Sequence, residues 1–235
     1  EELAMIEENV EGSLSRDMMV QLKIAEDSRR KNQSFVKNLC ERYKENPAAA
    51  KSYYYKEKLD FDCYTQEGRN ARDEMLRQYL IGMQWVMFYY YKGVQHWGFY
   101  YSYHYPPMIS DIKDIETLLG TNTIENFDDC KWENRPFDPF EQLLTILPPD
   151  SIDNLLPKWY YEHFIKNPKF EKFYPATFDI DLNGRSMPWE AIVLIPFIDE
   201  QELLEHERKL AEEGKLVMEQ KDIDRNKRGV EKTYH

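Results

Sequence analysis

The stretch Gln84–Ser110, QWVMFYYYKGVQHWGFYYSYHYPPMIS, governs how the rest of the chain is read. Between Tyr89 and Tyr105 nine of seventeen residues are Phe, Trp or Tyr, with His96 and His104 among them, against 14% aromatic residues in the whole chain. An apolar core does not need that density, because Tyr and Trp each carry a polar atom that must find a partner or reach water. Gly93 and Gly98 lie inside the run and Pro106-Pro107 closes it. The stretch therefore reads as a shaped wall, one edge packed and the other open to a ligand. Just upstream, Met75, Tyr79, Met83, Val86 and Tyr90 recur at helical spacing and predict a helix from about Ala71 to Lys92, ended by Gly93. From Trp85 onward every face of that helix is apolar or aromatic, which predicts a second half buried all round.

Toward the N-terminus, residues 1–46 read as helix, with Met18, Met19, Leu22, Phe35, Val36, Leu39 and Tyr43 near spacings of three and four, and Pro47 as the stop. Tyr53-Tyr54-Tyr55 with Lys51, Lys56 and Lys58 form a basic-aromatic patch. It reads either as a contact for a nucleic-acid backbone or as an amphipathic turn whose lysines snorkel. Thr65–Gly68 reads as a loop. Toward the C-terminus the spacing predicts a short helix over Ile109–Leu119, an exposed loop over Gly120–Arg135, and a helix around Glu141–Ile146 ended by Pro148-Pro149. Two further helical pieces follow, at Asp150–Leu156 and Pro157–Lys166. Pro168–Asp181 reads as extended, Asn183-Gly184 as a turn, and Trp189–Phe197 as a buried apolar run. Asp199 caps the last helix with Glu202 as its capping-box partner; Leu203, Leu204 and Leu210 give it a thin apolar stripe, and the chain beyond Gly214 reads as loosely ordered. The expected fold is mainly α, an irregular helical assembly with long aromatic and proline-rich loops and little strand.

Composition bounds the function. The 235 residues carry a net charge of −12, which argues against an isolated nucleic-acid binder, since phosphate contacts need clustered Lys and Arg. Taken alone, it favours a protein partner. No run of eighteen apolar residues exists, so no transmembrane helix is expected. Cys40, Cys63 and Cys130 are too dispersed for a zinc site or a disulfide framework, and a reducing compartment is the default. The chain opens on acidic residues without Met, as an excised or processed part of something longer would.

A self-contained active site is not legible. Two-metal chemistry needs carboxylates converging from several elements, whereas the acidic pairs Asp60/Asp62, Asp128/Asp129, Asp179/Asp181 and Asp222/Asp224 sit in polar loops or extended segments and read as solvated. His96 and His104 are eight apart with no cysteine nearby, so they read as hydrogen-bonded wall residues rather than metal ligands. There is no nucleophile elbow and no glycine-rich phosphate loop.

The blocks QWVMFYYYKGVQHWGFYYSYHYPP, RPFDPFEQLLTILPP, FYPATFDIDLNGR and WEAIVLIPFIDEQELL, in this order, resemble the second conserved region of the Xrn-type 5′→3′ exoribonucleases over roughly Ser52–Leu204, with a weaker echo at Arg225–Gly229. The resemblance implies a processive, magnesium-dependent enzyme that degrades 5′-monophosphorylated RNA to mononucleotides. Its metal-binding carboxylates and 5′-phosphate pocket belong to a first conserved region, so this chain is expected to hold no catalytic residue and no metal, to be inactive alone, and to pack against that catalytic half. The implied organisation is a charged helical linker (1–47), the helical second region (48–213) and a charged tail (214–235). The sequence departs from the family where Phe99 stands for a second Trp, Pro106 for Ala, His96 for a small residue and Asn134 for Gly.

Residue by residue, Trp97 matches the family's first loop tryptophan, which implies stacking on an RNA base, with Phe99 as the reserve. A purely packed tryptophan is the competing reading. His96, Tyr101, His104 and Tyr105 are expected to shape the loop or line the RNA path, and Phe137, Phe140, Trp189 and Phe197 to be core between this half and its partner half. The combinations PFEQLL and WEAIVLIPFIDE lean toward the cytoplasmic mRNA-decay branch, with the nuclear branch as the alternative. A non-catalytic RNA- or protein-interaction module derived from the same family is the competing function.

Overall fold

Helices dominate the described residues, and their ends follow local chemistry. The computed structural model describes residues 16–120, 134–175 and 177–229. Helix α1 runs Arg16–Glu45 and α2 Pro47–Leu59. Pro47, expected only as a stop, is the first residue of α2: Asn46 is extended and its side chain accepts from the Ala48 N–H, and proline suits a first helical position because its missing N–H would be unpaired there anyway. Helix α3, Gln66–Lys92, starts earlier than the spacing predicts. Thr65 Oγ1 accepts from the Gly68 N–H at 3.0 Å, so Thr65–Gly68 is a helix cap and first turn, not a loop. Gly68 is required there, since a Cβ would fall 2.0 Å from the Asp62 carbonyl oxygen.

The single helix expected over Ile109–Leu119 is a 3₁₀ turn, Ile109–Asp111, and a short α4, Ile115–Leu119, with Asp114 between them at positive φ. Helices α5 (Pro139–Ile146) and α6 (Pro149–Leu155) agree with expectation, and α7 (Lys158–Tyr160) continues into a π turn at Tyr161–Ile165. Pro168–Phe173, expected to be extended, is 3₁₀, because Asn167 caps the Lys169 N–H and Pro168 follows it. Strands β1 (Asp179–Asp181) and β2 (Ile192–Leu194) pair antiparallel with Ile180 opposite Val193. The turn after β1 has Asn183 and Gly184 at positive φ, as the Asn-Gly pair predicts. A 3₁₀ turn, Pro188–Glu190, precedes β2. Helices α8 (Glu200–Glu212) and α9 (Gln220–Arg225) end the described chain; Asp199 caps α8 by accepting from the Glu202 N–H, and Leu203, Leu204 and Leu210 are buried.

The chain divides into two compact units, residues 1–79, 103–118 and 177–195 in the first, and 80–102, 119–176 and 196–235 in the second. In the first, α1 packs on α2 and against β1, and Ser28 Oγ accepts from the Leu182 N–H at 2.7 Å. Tyr55 is buried, donating its hydroxyl to Asp111 and accepting from the Met108 N–H. In the second, Phe140, Leu144, Ile152, Leu156, Tyr160, Phe164, Phe170, Phe173, Tyr174 and Leu203 form one aromatic-rich core. Helix α9 is tied to this unit: Asn226 accepts from the Phe140 N–H at 2.8 Å, Arg225 donates to the Leu155 carbonyl at 2.8 Å, and Arg228 pairs with Asp138. The chain just beyond Gly214 is therefore more ordered than its polar composition predicts.

Two burial expectations fail. Along Trp189–Phe197, Trp189 is 79% exposed and Val193, Leu194 and Phe197 are also exposed; an apolar run reads alike whether a strand is covered or not, and a two-stranded hairpin covers little of itself. Of the four aromatics expected to pack between this half and its partner half, Phe140 is buried within the chain, Phe137 is half-buried, and Trp189 and Phe197 are exposed. In the second half of α3, Val86, Met87, Tyr90 and Tyr91 are exposed, because a helix apolar on every face needs more neighbours than the described residues supply.

Candidate nucleic-acid interface

The aromatic segment begins where α3 stops. Gly93 takes φ +82° and its N–H reaches the Tyr89 carbonyl at 3.2 Å, the left-handed cap that glycine adopts without a Cβ penalty. The Gln95 amide donates to the Lys92 and Gly93 carbonyls at 3.4 and 3.1 Å, satisfying groups that a helix end leaves open. The chain then doubles back on the helix. Trp85 Nε1 donates to the His96 carbonyl at 2.9 Å, and Gly82 lies under the Phe99 ring, where a Cβ would make ordinary contact at 3.6 Å. His96 is buried, its Nδ1 accepts from the Gly98 N–H at 3.2 Å, and burial pushes its pKa down. A neutral imidazole with its proton on Nε2 follows from that acceptor role.

Trp97 differs from its neighbours. Its backbone N–H donates to Asn134 Oδ1 at 2.9 Å, and Asn134 Nδ2 donates to the Gln95 carbonyl at 3.0 Å, yet the residue is 50% exposed. Phe99 and Tyr101 are half-buried. Tyr100, not singled out by the sequence, is exposed with its ring centroid 5.9 Å from that of Phe197.

The expected site residues divide between the two units. His96, Trp97, Phe99 and Tyr101 belong to the second, whereas His104 and Tyr105 belong to the first. Tyr105 is 5% exposed; its hydroxyl donates to Asp181 Oδ2 at 2.6 Å, and Lys58, ion-paired with the same carboxylate, lies 4.8 Å from its ring centroid. His104 is half-buried and its pKa is pushed down by burial. Asn134 carried no site assignment in the sequence; its one signal was that it departs from the pattern.

The lysines and two tyrosines of the basic-aromatic patch have partners within their own unit. Lys51 pairs with Asp111, Lys56 with Asp60 and Lys58 with Asp181, while the Tyr54 and Tyr55 hydroxyls donate to Pro106 O and Asp111. The acidic pairs are similarly engaged: Asp62 accepts from the Tyr64 N–H, Asp222 pairs with Arg225, and Asp224 with Lys227; Asp128/Asp129 and Cys130 lie outside the described residues. Among the described residues no group of three or more His, Cys, Asp or Glu is placed to hold a metal, Cys40 and Cys63 are free, and no helix is long and apolar enough to cross a membrane.

The chain matches the Xrn1 helical domain over residues 5–234. The chain belongs to this family. It is 39% identical over 171 residues to 5′-3′ exoribonuclease 1 of Schizosaccharomyces pombe, covering 72% of this chain and 12% of the relative. It is 43% identical over 158 residues to human 5′-3′ exoribonuclease 1, covering 66% and 8%. To 5′-3′ exoribonuclease 2 of S. pombe it is 37% identical over 177 residues, covering 70% and 16%. An Xrn helical domain thus makes up only a small fraction of the length of the relatives it matches, and both the type 1 and the type 2 enzymes are among them.

Proposed function

We propose that this Xrn helical domain is the non-catalytic half of a processive 5′→3′ exoribonuclease that degrades 5′-monophosphorylated RNA to mononucleotides, and that it walls the path of the single strand and braces a catalytic half elsewhere in the parent. The observation that carries the reading is Trp97: its backbone is fastened on both sides while the residue stays half exposed. A rigid aromatic face is what sequence-tolerant stacking on a base requires, at about 1–3 kcal/mol per base. Phe99 is the second stacking candidate; His96, Tyr101, His104 and Tyr105 shape the loop. Bracing is supported by the exposed α3 faces around Val86–Tyr91 and by Trp189, apolar surface of the kind that marks a partner's footprint.

Among the described residues no group of three or more His, Cys, Asp or Glu is placed to hold a metal; in this reading the Mg2+ is held by the catalytic half and no residue of this chain touches it. The cytoplasmic mRNA-decay branch is our reading, with the nuclear branch as the alternative; identities run from 37% to 43% among the type 1 enzymes and from 35% to 41% among the type 2 enzymes. Trp97→Ala in the intact enzyme should weaken single-stranded RNA binding by about 5- to 150-fold and shorten processive runs, with thermal unfolding little changed. Unchanged affinity together with a falling unfolding temperature would mean that Trp97 is a packing residue and not a stacking one.

A further inference from the structure

We propose that Asn134 is a positioning residue for Trp97, setting how tightly single-stranded RNA is held; this rests on the stacking role of Trp97. One carboxamide spans two backbone groups of a single loop. Its Nδ2 donates to the Gln95 carbonyl at 3.0 Å and its Oδ1 accepts from the Trp97 N–H at 2.9 Å. These groups lie two residues apart and are bonded as an adjacent strand would bond them. The Asn134 side chain therefore substitutes for a missing strand.

Asn134 is itself anchored to the core of its unit. The next residue, Arg135, forms a two-pronged pair with Glu141, 3.0 Å on each prong, and its Nη1 also donates to the Pro136 carbonyl at 3.1 Å. Glu141 is buried and accepts from the Asp138 N–H at 2.6 Å, closing the first turn of α5. Two residues of that helix, Phe140 and Leu144, belong to the aromatic core. A continuous set of contacts thus runs from core to α5, to Arg135, to Asn134 and to the Trp97 backbone. On the loop's other flank, the His96 carbonyl and the Gly98 N–H are bonded to Trp85 Nε1 and His96 Nδ1. With Gln95 O, His96 O, Trp97 N and Gly98 N all engaged, the indole of Trp97 is presented by a backbone with little freedom left to lose when RNA binds. No other side chain of equal geometry could do this: Asp would lack the donor and set a carboxylate against the Gln95 carbonyl, and Ala would release both ends.

The test is a double-mutant cycle in the intact parent enzyme with a 5′-phosphorylated oligoribonucleotide, comparing wild type, Trp97→Ala, Asn134→Ala and the pair. Asn134→Ala alone should raise KM and the RNA Kd by about five- to tenfold, the scale of one to two net hydrogen bonds, with kcat at saturating RNA unchanged. In the Trp97→Ala background the same substitution should change Kd less than about twofold. Equal factors in both backgrounds would show an effect on the fold or on some other RNA contact and would overturn the proposal. If Trp97→Ala weakens binding and Asn134→Ala does not, the positioning role is wrong while the stacking role stands. If Trp97→Ala leaves binding unchanged, the stacking role fails first and the positioning role with it.

Discussion

Each unit contains a tyrosine that donates its hydroxyl to a largely buried carboxylate, and the two carboxylates behave oppositely. In the first unit Tyr105 donates to Asp181 at 2.6 Å; in the second Tyr160 donates to Glu207 at 2.5 Å. Burial pushes both carboxyls up. For Asp181 the hydrogen bonds from Lys58, Tyr105 and the Asn183 N–H outweigh burial, and its pKa falls below the ordinary value. For Glu207 burial prevails over the Tyr160 bond, the nearby charges of Glu141 and Asp138 add to it, Arg135 opposes weakly, and the pKa rises to about 7. Its second oxygen is buried without a partner. The hydroxyl is common to both sites; what differs is that Asp181 also has Lys58 and the Asn183 N–H, while Glu207 faces the charges of Glu141 and Asp138. Lys58 also lies 4.7 Å from the Phe35 ring centroid, which makes it the centre of the first unit's polar packing.

Removing that cation should give the largest effect. In Lys58→Met the stem is kept and the charge lost, leaving Asp181 in a place where the paired side chains are only 8% and 14% exposed. A broken buried pair costs about 3–5 kcal/mol, read as thermal unfolding of the intact enzyme or as loss of hydrogen-exchange protection over Pro47–Leu59. The sign of the pH dependence should invert locally. With Lys58 present, the depressed Asp181 contributes stability above the ordinary carboxylate value and loses it as pH falls through the folded value; without Lys58, acid should stabilise instead. Asp181→Leu added to Lys58→Met should recover much of the loss.

Glu207→Gln should have the next largest effect. The wild-type carboxyl has a folded value of about 7 against an ordinary 4.5, so the native state binds the proton more tightly and stability declines as pH rises from about 4.5 to about 7, then levels off. Glutamine imitates the protonated acid and removes that decline. Relative to wild type, the variant should gain at most about 3 kcal/mol between pH 5 and pH 8, measured as exchange protection of Glu200–Glu212. A gain independent of pH would mean that Glu207 is charged in the fold throughout that range.

What the residues disclose in advance follows the range of the interaction that decides each feature. The α3 spacing from Met75 to Tyr90, the Asn183-Gly184 turn and the Asp199 cap are set within a few residues, and they are legible. Pro47 is ambiguous alone, since proline ends one helix and begins another, and the Asn46 cap settles it. Helix α9 is illegible because its ties reach partners 86 and 70 residues away. The candidate interface divides in the same manner. An excess of aromatic residues marks the segment, but Trp97 and Tyr105 are alike in composition; what separates them is a clamp from Asn134, 37 residues on, and a carboxylate at Asp181, 76 residues on. Neither distance leaves a trace in local spacing. Trp189 shows the opposite error: an apolar run reads as buried although no described residue covers it.

The smallest effects, and the sharpest test of the comparison, come from the two hydroxyls. Tyr105→Phe leaves Asp181 with Lys58 and the Asn183 N–H, so the loss should be one net hydrogen bond, about 1 kcal/mol, and the same at pH 5 and pH 8 because Asp181 stays ionised across that interval. In Tyr160→Phe the ring still packs edge-on to Phe140 and Trp159, but Glu207 loses a donor that favours its charged form. Below its folded value the acid is neutral and the loss should be under about 1 kcal/mol; at pH 8 the lone carboxylate should make it larger, about 1–2 kcal/mol. A pH-dependent loss for Tyr160→Phe beside a flat one for Tyr105→Phe is what a missing cation requires. Two flat losses would instead mean that the tyrosine sets the charge state at neither site and that Glu207 is governed by Arg135 and Glu141.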